Sequence, residues 1–230
     1  MIDLEKFENS LGVDFKDKLL LKSALTHRSY LNENLGTGWG HNERLEFLGD
    51  AVLELVVTKY LYEKFPEKPE GELTSLRASL VNANMLGAVA AEIGFNEFLL
   101  LSRGEARDVG RARQYILANT FESVVGAIYL DQGYEKSQEF IERVLSPKMP
   151  EILEKRLYRD SKSFFQEEAQ ERVGITPTYQ VIKEWGPDHD RHFIVGVYLG
   201  TELVAEGEGP SKQAAQQQAA EAALKAKVWG

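Results

Sequence analysis

The stretch HNERLEFLGDAV, residues 41–52, has the apolar spacing of a packed helix and places three carboxylates on one face of it. Glu43 and Glu46 are three residues apart and Glu46 and Asp50 are four apart, and both spacings bring side chains to the same side of a helix. Like charges so placed repel each other, whereas Mg²⁺ and Mn²⁺ prefer oxygen ligands such as carboxylates. The stretch therefore predicts either a divalent-metal site or a solvated acidic helix face.

A second segment, ILANTFESVVGAIYLD at 116–131, favours the metal site. It is apolar except for a few positions, among them Asn119 and Glu122, which are three residues apart on the predicted helix. A carboxylate on a helix that faces a core needs a partner, and a metal ion shared with Glu46 and Asp50 would be one. A third acidic point is EGELTSLR at 70–77, where acids complement the helix dipole. That explanation suffices for Glu72 and leaves the role of Glu70 open.

Around these segments, most of residues 1–150 follows the three- and four-residue spacing of amphipathic helices, and glycine- and proline-containing stretches separate the periodic segments. No stretch there alternates as a strand does. We expect an all-helical first domain over 1–150. The predicted helices are 19–25, 45–62, 73–80, 85–93, 116–130 and 137–145.

The pattern changes after Pro147 and Pro150. Residues 151–160 are charged and are predicted to form a linker, either a short helix or an extended segment. Residues 161–230 then read as helix, three alternating strands and an alanine-rich helix. The predicted fold class is α+β in two domains, an all-α domain followed by an α-β-β-β-α domain at 161–230.

Composition sets limits on the class of protein. The 230 residues contain no cysteine, which excludes disulfides and thiolate metal sites. The N-terminus lacks the pattern of a signal peptide, and charges interrupt each apolar run, so we expect a soluble cytoplasmic protein without a membrane partner. The net charge of −9 taken alone argues against nucleic acid, although an acidic metal site can mask a local basic stripe.

ERLEFLGDAV at 43–52 resembles the signature of the ribonuclease III endonucleases, with ALTHRSY (24–30) upstream and ILANTFESVVGAIYLDQGY (116–134) downstream. The resemblance spans essentially the whole chain. It implies Mg²⁺-dependent hydrolysis of double-stranded RNA to 5′-phosphate products, with Mn²⁺ as a substitute, in ribosomal RNA maturation and other RNA processing. The site residues that it implies are Glu46, Asp50, Asn119 and Glu122 as metal ligands, with Asp50 and Glu122 also catalytic, Glu43 and Glu70 as flanking catalytic acids, and Phe47 as the contact of a homodimer.

The sequence departs from the family pattern at Asn119, where the family has aspartate. An amide offers one neutral carbonyl oxygen where a carboxylate offers two anionic ones, so we expect weaker metal binding and slower cleavage. An alternative is a duplex-RNA-binding protein whose nuclease domain is silent. A helical nucleotide phosphohydrolase is a third hypothesis, but it leaves the second domain unexplained and the chain lacks the His-Asp metal pair expected for it.

The second domain resembles a double-stranded-RNA-binding domain, a module that recognises A-form shape and backbone more than base sequence. The family usually has several lysines at the start of the last helix, whereas SKQAAQQQAAEAA here has only Lys212. With 7 basic and 10 acidic residues at 161–230, we expect this domain to bind weakly by itself. The predicted RNA contacts are Ser163, Gln166, Glu167, Gln170, His189, Ser211 and Lys212.

Overall fold

The structure is a computed structural model that describes residues 2–107, 109–154, 160–187 and 191–229. The chain divides into two compact units, Met1–Tyr158 and Arg159–Gly230, and each is described by itself. The fold class predicted from the sequence, a helical domain followed by an α-β-β-β-α domain, is confirmed.

The described part of the first unit is built from α-helices joined by short turns. Several begin at a residue whose side chain caps the helix, as at Asp17, whose carboxylate accepts from the N–H groups of Leu19 and Leu20. The helices are α1 (Leu4–Leu11), α2 (Lys18–Ala24), α3 (Arg28–Glu33), α4 (Glu43–Lys64), α5 (Glu70–Val81), α6 (Ala83–Ile93), α7 (Arg111–Gln132), α8 (Tyr134–Leu145) and α9 (Met149–Glu154).

Two long helices, α4 and α7, form the centre of this unit. They cross at two glycines, and no side chain separates the backbones at that point. A Cβ added to Gly49 would lie 1.7 Å from the carbonyl oxygen of Glu122, and one added to Gly126 would lie 2.3 Å from the carbonyl oxygen of Leu45. Only glycine permits so close an approach.

An aromatic cluster packs around this pair of helices. The rings of Phe7 and Phe95 meet edge to face at 5.0 Å, and that of Phe121 on α7 lies 6.2 Å from Phe95 and 5.7 Å from Phe140. Each of these rings is fully buried, which contributes about 2–3 kcal/mol per side chain to folding.

In the second unit, α10 (Ser161–Val173) is followed by β1 (Thr178–Trp185), β2 (His192–Leu199), β3 (Glu202–Gly209) and α11 (Lys212–Lys227). The strands form an antiparallel sheet in the order β1-β2-β3. Phe165 of α10, Val197 of β2 and the alanine face of α11 share one apolar core, so both helices pack on the same side of the sheet. Gly200, with a φ of +63°, makes the tight turn between β2 and β3.

Some elements differ from the sequence-based expectation. The helices α1 and α3 were not predicted, although Phe7 and Leu11 have helical spacing. The predicted linker begins inside α9, whose Ile152 is buried in the core of the first unit. Residues 155–159 of that linker lie outside the described residues.

Among the described residues, no helix has both the length and the apolar character needed to cross a membrane.

The first prediction concerns the helix crossing. Gly49→Ala would place a methyl group against the Glu122 backbone, which cannot move as a side chain can. We expect a loss of about 2 kcal/mol or more in unfolding free energy, because overpacking outweighs the gain of about 1 kcal/mol in helix propensity. Urea unfolding followed by circular dichroism measures it. Gly71→Ala on α5, where the added methyl meets nothing within 4 Å, is the matched control and should be neutral or stabilising. Equal stability of the two variants would contradict the close crossing.

Candidate active site

The glycine crossing brings together four side chains named from the sequence. Glu46 and Asp50 lie on α4 on either side of Gly49, and Asn119 and Glu122 lie on the facing part of α7. The side-chain amide of Asn119 hydrogen bonds to the carboxylate of Glu46, and the charges of Glu46 and Asp50 both act on Glu122. The structure therefore places these four side chains in one cluster, called here the carboxylate cluster.

The cluster holds negative charge where the fold partly excludes water. Burial raises the pKa of Glu122 to about 7, and the nearby carboxylates of Asp50 and Glu46 add to the rise. Burial also raises the pKa of Glu46, with further contributions from Glu43 and Asp50, while the hydrogen bond from Asn119 opposes the rise. The neutral amide at 119 thus relieves part of the repulsion in the cluster.

Buried polar residues that the sequence analysis did not single out hold the two helices in register. The Ser123 hydroxyl donates to the carbonyl oxygen of Asn119 at 2.7 Å and contacts that of Asn42 at 3.4 Å. The Asn42 N–H in turn donates to the carbonyl oxygen of Thr26 at 2.9 Å. The side chains of Ser123, Asn42 and Thr26 are nearly or fully buried. For Ser123, a serine within an apolar run is the sequence signal that could have identified it.

Glu43 lies beside the cluster and faces basic groups as well. One of its carboxylate oxygens is 3.4 Å from a guanidinium nitrogen of Arg28, and the other is 3.8 Å from Nδ1 of His41. His27 caps α3, with Nδ1 accepting from the N–H of Ser29, and burial lowers its pKa. His27 thus has a structural role at the start of α3.

Two further predicted residues, Glu70 and Phe47, are not members of the carboxylate cluster. Glu70 begins α5, where its carboxylate accepts from the Thr74 hydroxyl, and it lines an open cavity of about 460 Å³. The charges that act on Glu46 and Glu122 do not include that of Glu70. Phe47 is 83% exposed, more than the two other exposed large apolar side chains of α4, Leu55 and Tyr62.

The cluster fits a hard divalent cation by the chemistry of its donors. Each of the four side chains offers an oxygen, and their mutual repulsion would be relieved by positive charge. The acids do not form a closed cage, since the described part of the chain contains no group of three His, Asp or Glu side chains that could hold a metal ion. A bound cation would therefore rely on Asn119 and on ligands from outside the chain.

In the second unit, the residues predicted to bind RNA fall into two surfaces. Ser163, Gln166, Glu167 and Gln170 are all exposed on α10, and the Gln170 amide donates to the Thr176 hydroxyl at 2.6 Å. Ser211 caps α11, its hydroxyl oxygen accepting from the N–H of Ala214, and the Lys212 ammonium lies 5.7 Å from the centre of the Phe193 ring. The predicted contact His189 lies outside the described residues.

A carboxylate cluster at a helix crossing, in the same chain as an α-β-β-β-α unit, defines a class: nucleases that join a helical catalytic domain to an RNA-binding domain. Comparison with known proteins gives the family. Residues 17–149 match the Ribonuclease-III-like family, and residues 161–227 match the double-stranded RNA binding motif. The chain belongs to the ribonuclease III family.

Relatives cover nearly the whole chain. Ribonuclease 3 of a Nitratiruptor species is 47% identical over 225 residues, covering 98% of this chain and 97% of that protein. Ribonuclease 3 of Pelotomaculum thermopropionicum is 48% identical over 221 residues, covering 96% and 92%. Among solved structures, the nuclease domain of ribonuclease III from Campylobacter jejuni matches with a TM-score of 0.58 and 41% identity, covering 64% of this chain and 99% of that one.

A second prediction follows from the pKa of Glu122. In metal-free protein the folded state holds this proton more tightly than the unfolded state, because folding raises the pKa from 4.5 to about 7. The ionised carboxylate therefore destabilises the folded state. This destabilisation is absent below pH 4.5 and reaches its full value above about pH 7. Glu122→Gln removes this destabilisation. We expect the variant to be more stable than the wild type by about 1–2 kcal/mol near pH 8, after allowance for solvent screening, and equally stable near pH 4.

Thermal unfolding in EDTA across this pH range measures the difference. Glu63→Gln, which removes an exposed carboxylate from the other end of α4, is the matched control and should change little at any pH. A Glu122→Gln variant that is less stable than the wild type at high pH would show that the carboxylate is well accommodated.

Proposed function

We propose that the chain is a divalent-metal-dependent endoribonuclease that hydrolyses double-stranded RNA and leaves 5′-phosphate ends. The observation that supports the proposal is the carboxylate cluster at the α4–α7 crossing, in a chain whose halves match the Ribonuclease-III-like family and the double-stranded RNA binding motif. The proposed substrates are precursors of ribosomal and other RNAs, and the proposed compartment is the cytoplasm.

Glu46, Asp50 and Glu122 are the proposed anionic ligands of the cation, with Asn119 as a neutral fourth ligand. Mg²⁺ is the proposed ion and Mn²⁺ a substitute, since both favour oxygen donors. When bound, such an ion lowers the pKa of a coordinated water and offsets the charge that develops on the phosphate. The side chains of the cluster would orient the ion, and Glu122 would lose its proton on metal binding, so that uptake releases a proton near neutral pH.

The second candidate function is a duplex-RNA-binding protein with a silent nuclease domain. It is favoured by one observation, the amide of Asn119 in hydrogen-bonding contact with Glu46 where a fourth carboxylate would complete the site. In this alternative the chain binds RNA duplexes through the second unit and cleaves none of them.

Cleavage of a labelled RNA duplex in Mg²⁺, with EDTA and Ca²⁺ as parallel conditions, separates the two functions. We expect slow, Mg²⁺-dependent cleavage to 5′-phosphate products, no cleavage in EDTA, and binding without cleavage in Ca²⁺. A single-stranded RNA of the same sequence should remain intact. Retention of the duplex without cleavage at any Mg²⁺ or Mn²⁺ concentration would favour the silent binding protein.

The third prediction concerns position 119. Asn119→Asp adds an anionic ligand, so we expect faster cleavage at low Mg²⁺, a smaller difference in high Mg²⁺ or in Mn²⁺, and unchanged RNA affinity in Ca²⁺. In EDTA the variant should be less stable than the wild type, because a hydrogen bond to Glu46 is replaced by repulsion. Divalent ions should then raise its melting temperature more than that of the wild type.

Asn9→Asp, which adds the same charge on the exposed surface of α1, is the matched control for the added charge. Equal rates for the wild type and Asn119→Asp throughout a Mg²⁺ titration would show that position 119 is not a ligand.

We further propose that the chain acts as a homodimer in which Phe47 enters the partner. The exposed ring follows Glu46 directly on α4, and the cavity that contains Glu70 is lined on its apolar side by Leu61, Tyr62 and Leu73. If the partner's Phe47 occupies this cavity, Glu70 comes close to the carboxylates at the start of the partner's α4. That arrangement would give Glu70 a catalytic position that it lacks within one protomer. The related Campylobacter jejuni structure is described as flexible in a region involved in dimer formation.

The fourth prediction tests this contact. Phe47→Ala should weaken dimerisation by about 2 kcal/mol or more, roughly 30-fold in Kd, because the ring would be a central anchor of the interface. Sedimentation velocity over a range of concentrations measures the dimer fraction. Leu35→Ala, which removes a 91% exposed side chain from a loop, is the control and should leave the dimer intact. A wild-type chain that is monomeric at micromolar concentration would contradict the proposal.

A further inference from the structure

Lys162, near the start of α10, reaches across to α11. Its ammonium donates to the side-chain oxygen of Gln216 at 2.7 Å and lies 5.1 Å from the centre of the Tyr179 ring on β1. Three elements of the second unit therefore meet at this ammonium. Both contacts are with neutral groups, an amide and an aromatic ring. The carboxylate of Asp160, whose charge also acts on Tyr179, lies in the same region.

The neighbouring acid, Asp160, is already engaged with other donors. Its Oδ1 accepts from the backbone N–H of Lys162 at 2.9 Å and of Ser163 at 3.4 Å, as the cap of α10. The same oxygen accepts from the side-chain amide of Gln217 at 2.7 Å. This acid fixes the start of α10 against α11 and so keeps the stem of Lys162 in place.

Gln216 is one helical turn beyond Lys212 on α11, and residues four apart lie on the same face of a helix. The contact with Gln216 therefore puts the ammonium of Lys162 beside a side chain that lies about 6 Å beyond Lys212 along the axis of α11. The first turns of α11 contain one lysine, Lys212, but the ammonium of Lys162 from α10 adds a second positive charge beside them.

We propose that Lys162 and Lys212 together bind adjacent phosphates of an RNA strand, and that Gln216 is a positioning residue that holds Lys162 in place. The inference rests on the proposed function, in which the second unit binds double-stranded RNA. A phosphate would supply the negative charge that the contacts of Lys162 lack. A count of the lysines at the start of α11 then gives too few phosphate contacts, because it leaves out Lys162 of α10.

The test is a salt titration of duplex RNA binding by the full chain in Ca²⁺. Lys162→Gln should weaken binding about 3- to 10-fold at moderate salt, the scale of one charge-assisted contact. It should also reduce the slope of log K against log salt by about 0.7 to 0.9, as expected for one phosphate contact. Lys212→Gln should do the same, and RNA duplexes of different sequence should be affected alike.

Two variants separate charge from structure. Lys162→Arg keeps the charge and should keep the slope. Gln216→Glu leaves Lys162 in place but pairs it with a carboxylate, and it should lower both affinity and slope as Lys162→Gln does. Because Gln216→Glu retains the lysine stem, it provides the test even if Lys162→Gln disturbs folding. Lys225→Gln, at the far end of α11 and paired with Glu221 at 2.6 Å, is the matched control and should leave the slope unchanged.

The outcomes distinguish the two proposals. If the wild type binds duplex RNA and both Lys162→Gln and Gln216→Glu keep its affinity and slope, the inference on Lys162 is wrong and the proposed function stands. If the wild type does not bind duplex RNA at all, the proposed function fails and the inference fails with it.

Discussion

The contact between Gly49 of α4 and Gly126 of α7 is the constraint on which the first unit depends. At this crossing the two backbones are in direct contact, with no side chain between them. The residues on either side of the two glycines therefore face each other. On α4 those residues are Glu46 and Asp50, and on α7 one of them is Glu122. The cluster is therefore a consequence of the crossing: any larger residue at either glycine would separate the helices and the acids with them.

The close crossing holds the acids nearer to each other than the repulsion between like charges favours. Burial of Glu122, and in second place the repulsion from Asp50 and Glu46, raise its pKa, and the ionised carboxylate therefore destabilises the fold. The surrounding structure opposes this repulsion through the buried contacts among Ser123, Asn42 and Thr26 and through the apolar packing of the two helices. Asn119 acts from inside the cluster by donating a hydrogen bond to Glu46. In the proposed metal site this amide would offer a cation less charge than a carboxylate, so a change at position 119 would shift stability without metal and affinity for metal in opposite directions.

The sequence predicts the elements of this arrangement better than it predicts their contacts. Periodicity found the helices around the acids and the strands of the second unit, because burial of an apolar face leaves a local pattern. It missed α1, whose anchor is a contact of Phe7 with rings almost ninety residues away along the chain. Spacing alone allowed either a metal site or a solvated helix face, and only the crossing with α7 shows that the carboxylates of α4 meet Glu122. The sequence signal for this crossing was the glycine inside each helical pattern. A glycine there lowers helix stability, so its presence indicates a reason such as close packing of two helices.

The same distinction between sequence and space applies to charge. A chain with a net charge of −9 is a poor candidate for binding a polyanion if charge is only summed. In the second unit, the lysines at the two ends of α11 have different partners. Near its C-terminal end, Lys225 pairs with Glu221 and Lys227 with Glu202 at 2.8 Å, so the basic groups there are neutralised. Near its N-terminal end, the ammonium groups of Lys162 and Lys212 contact an amide and aromatic rings, and within the described residues neither of them forms an ion pair. The position of each acid relative to each lysine, and not the summed charge of the domain, therefore decides the local potential.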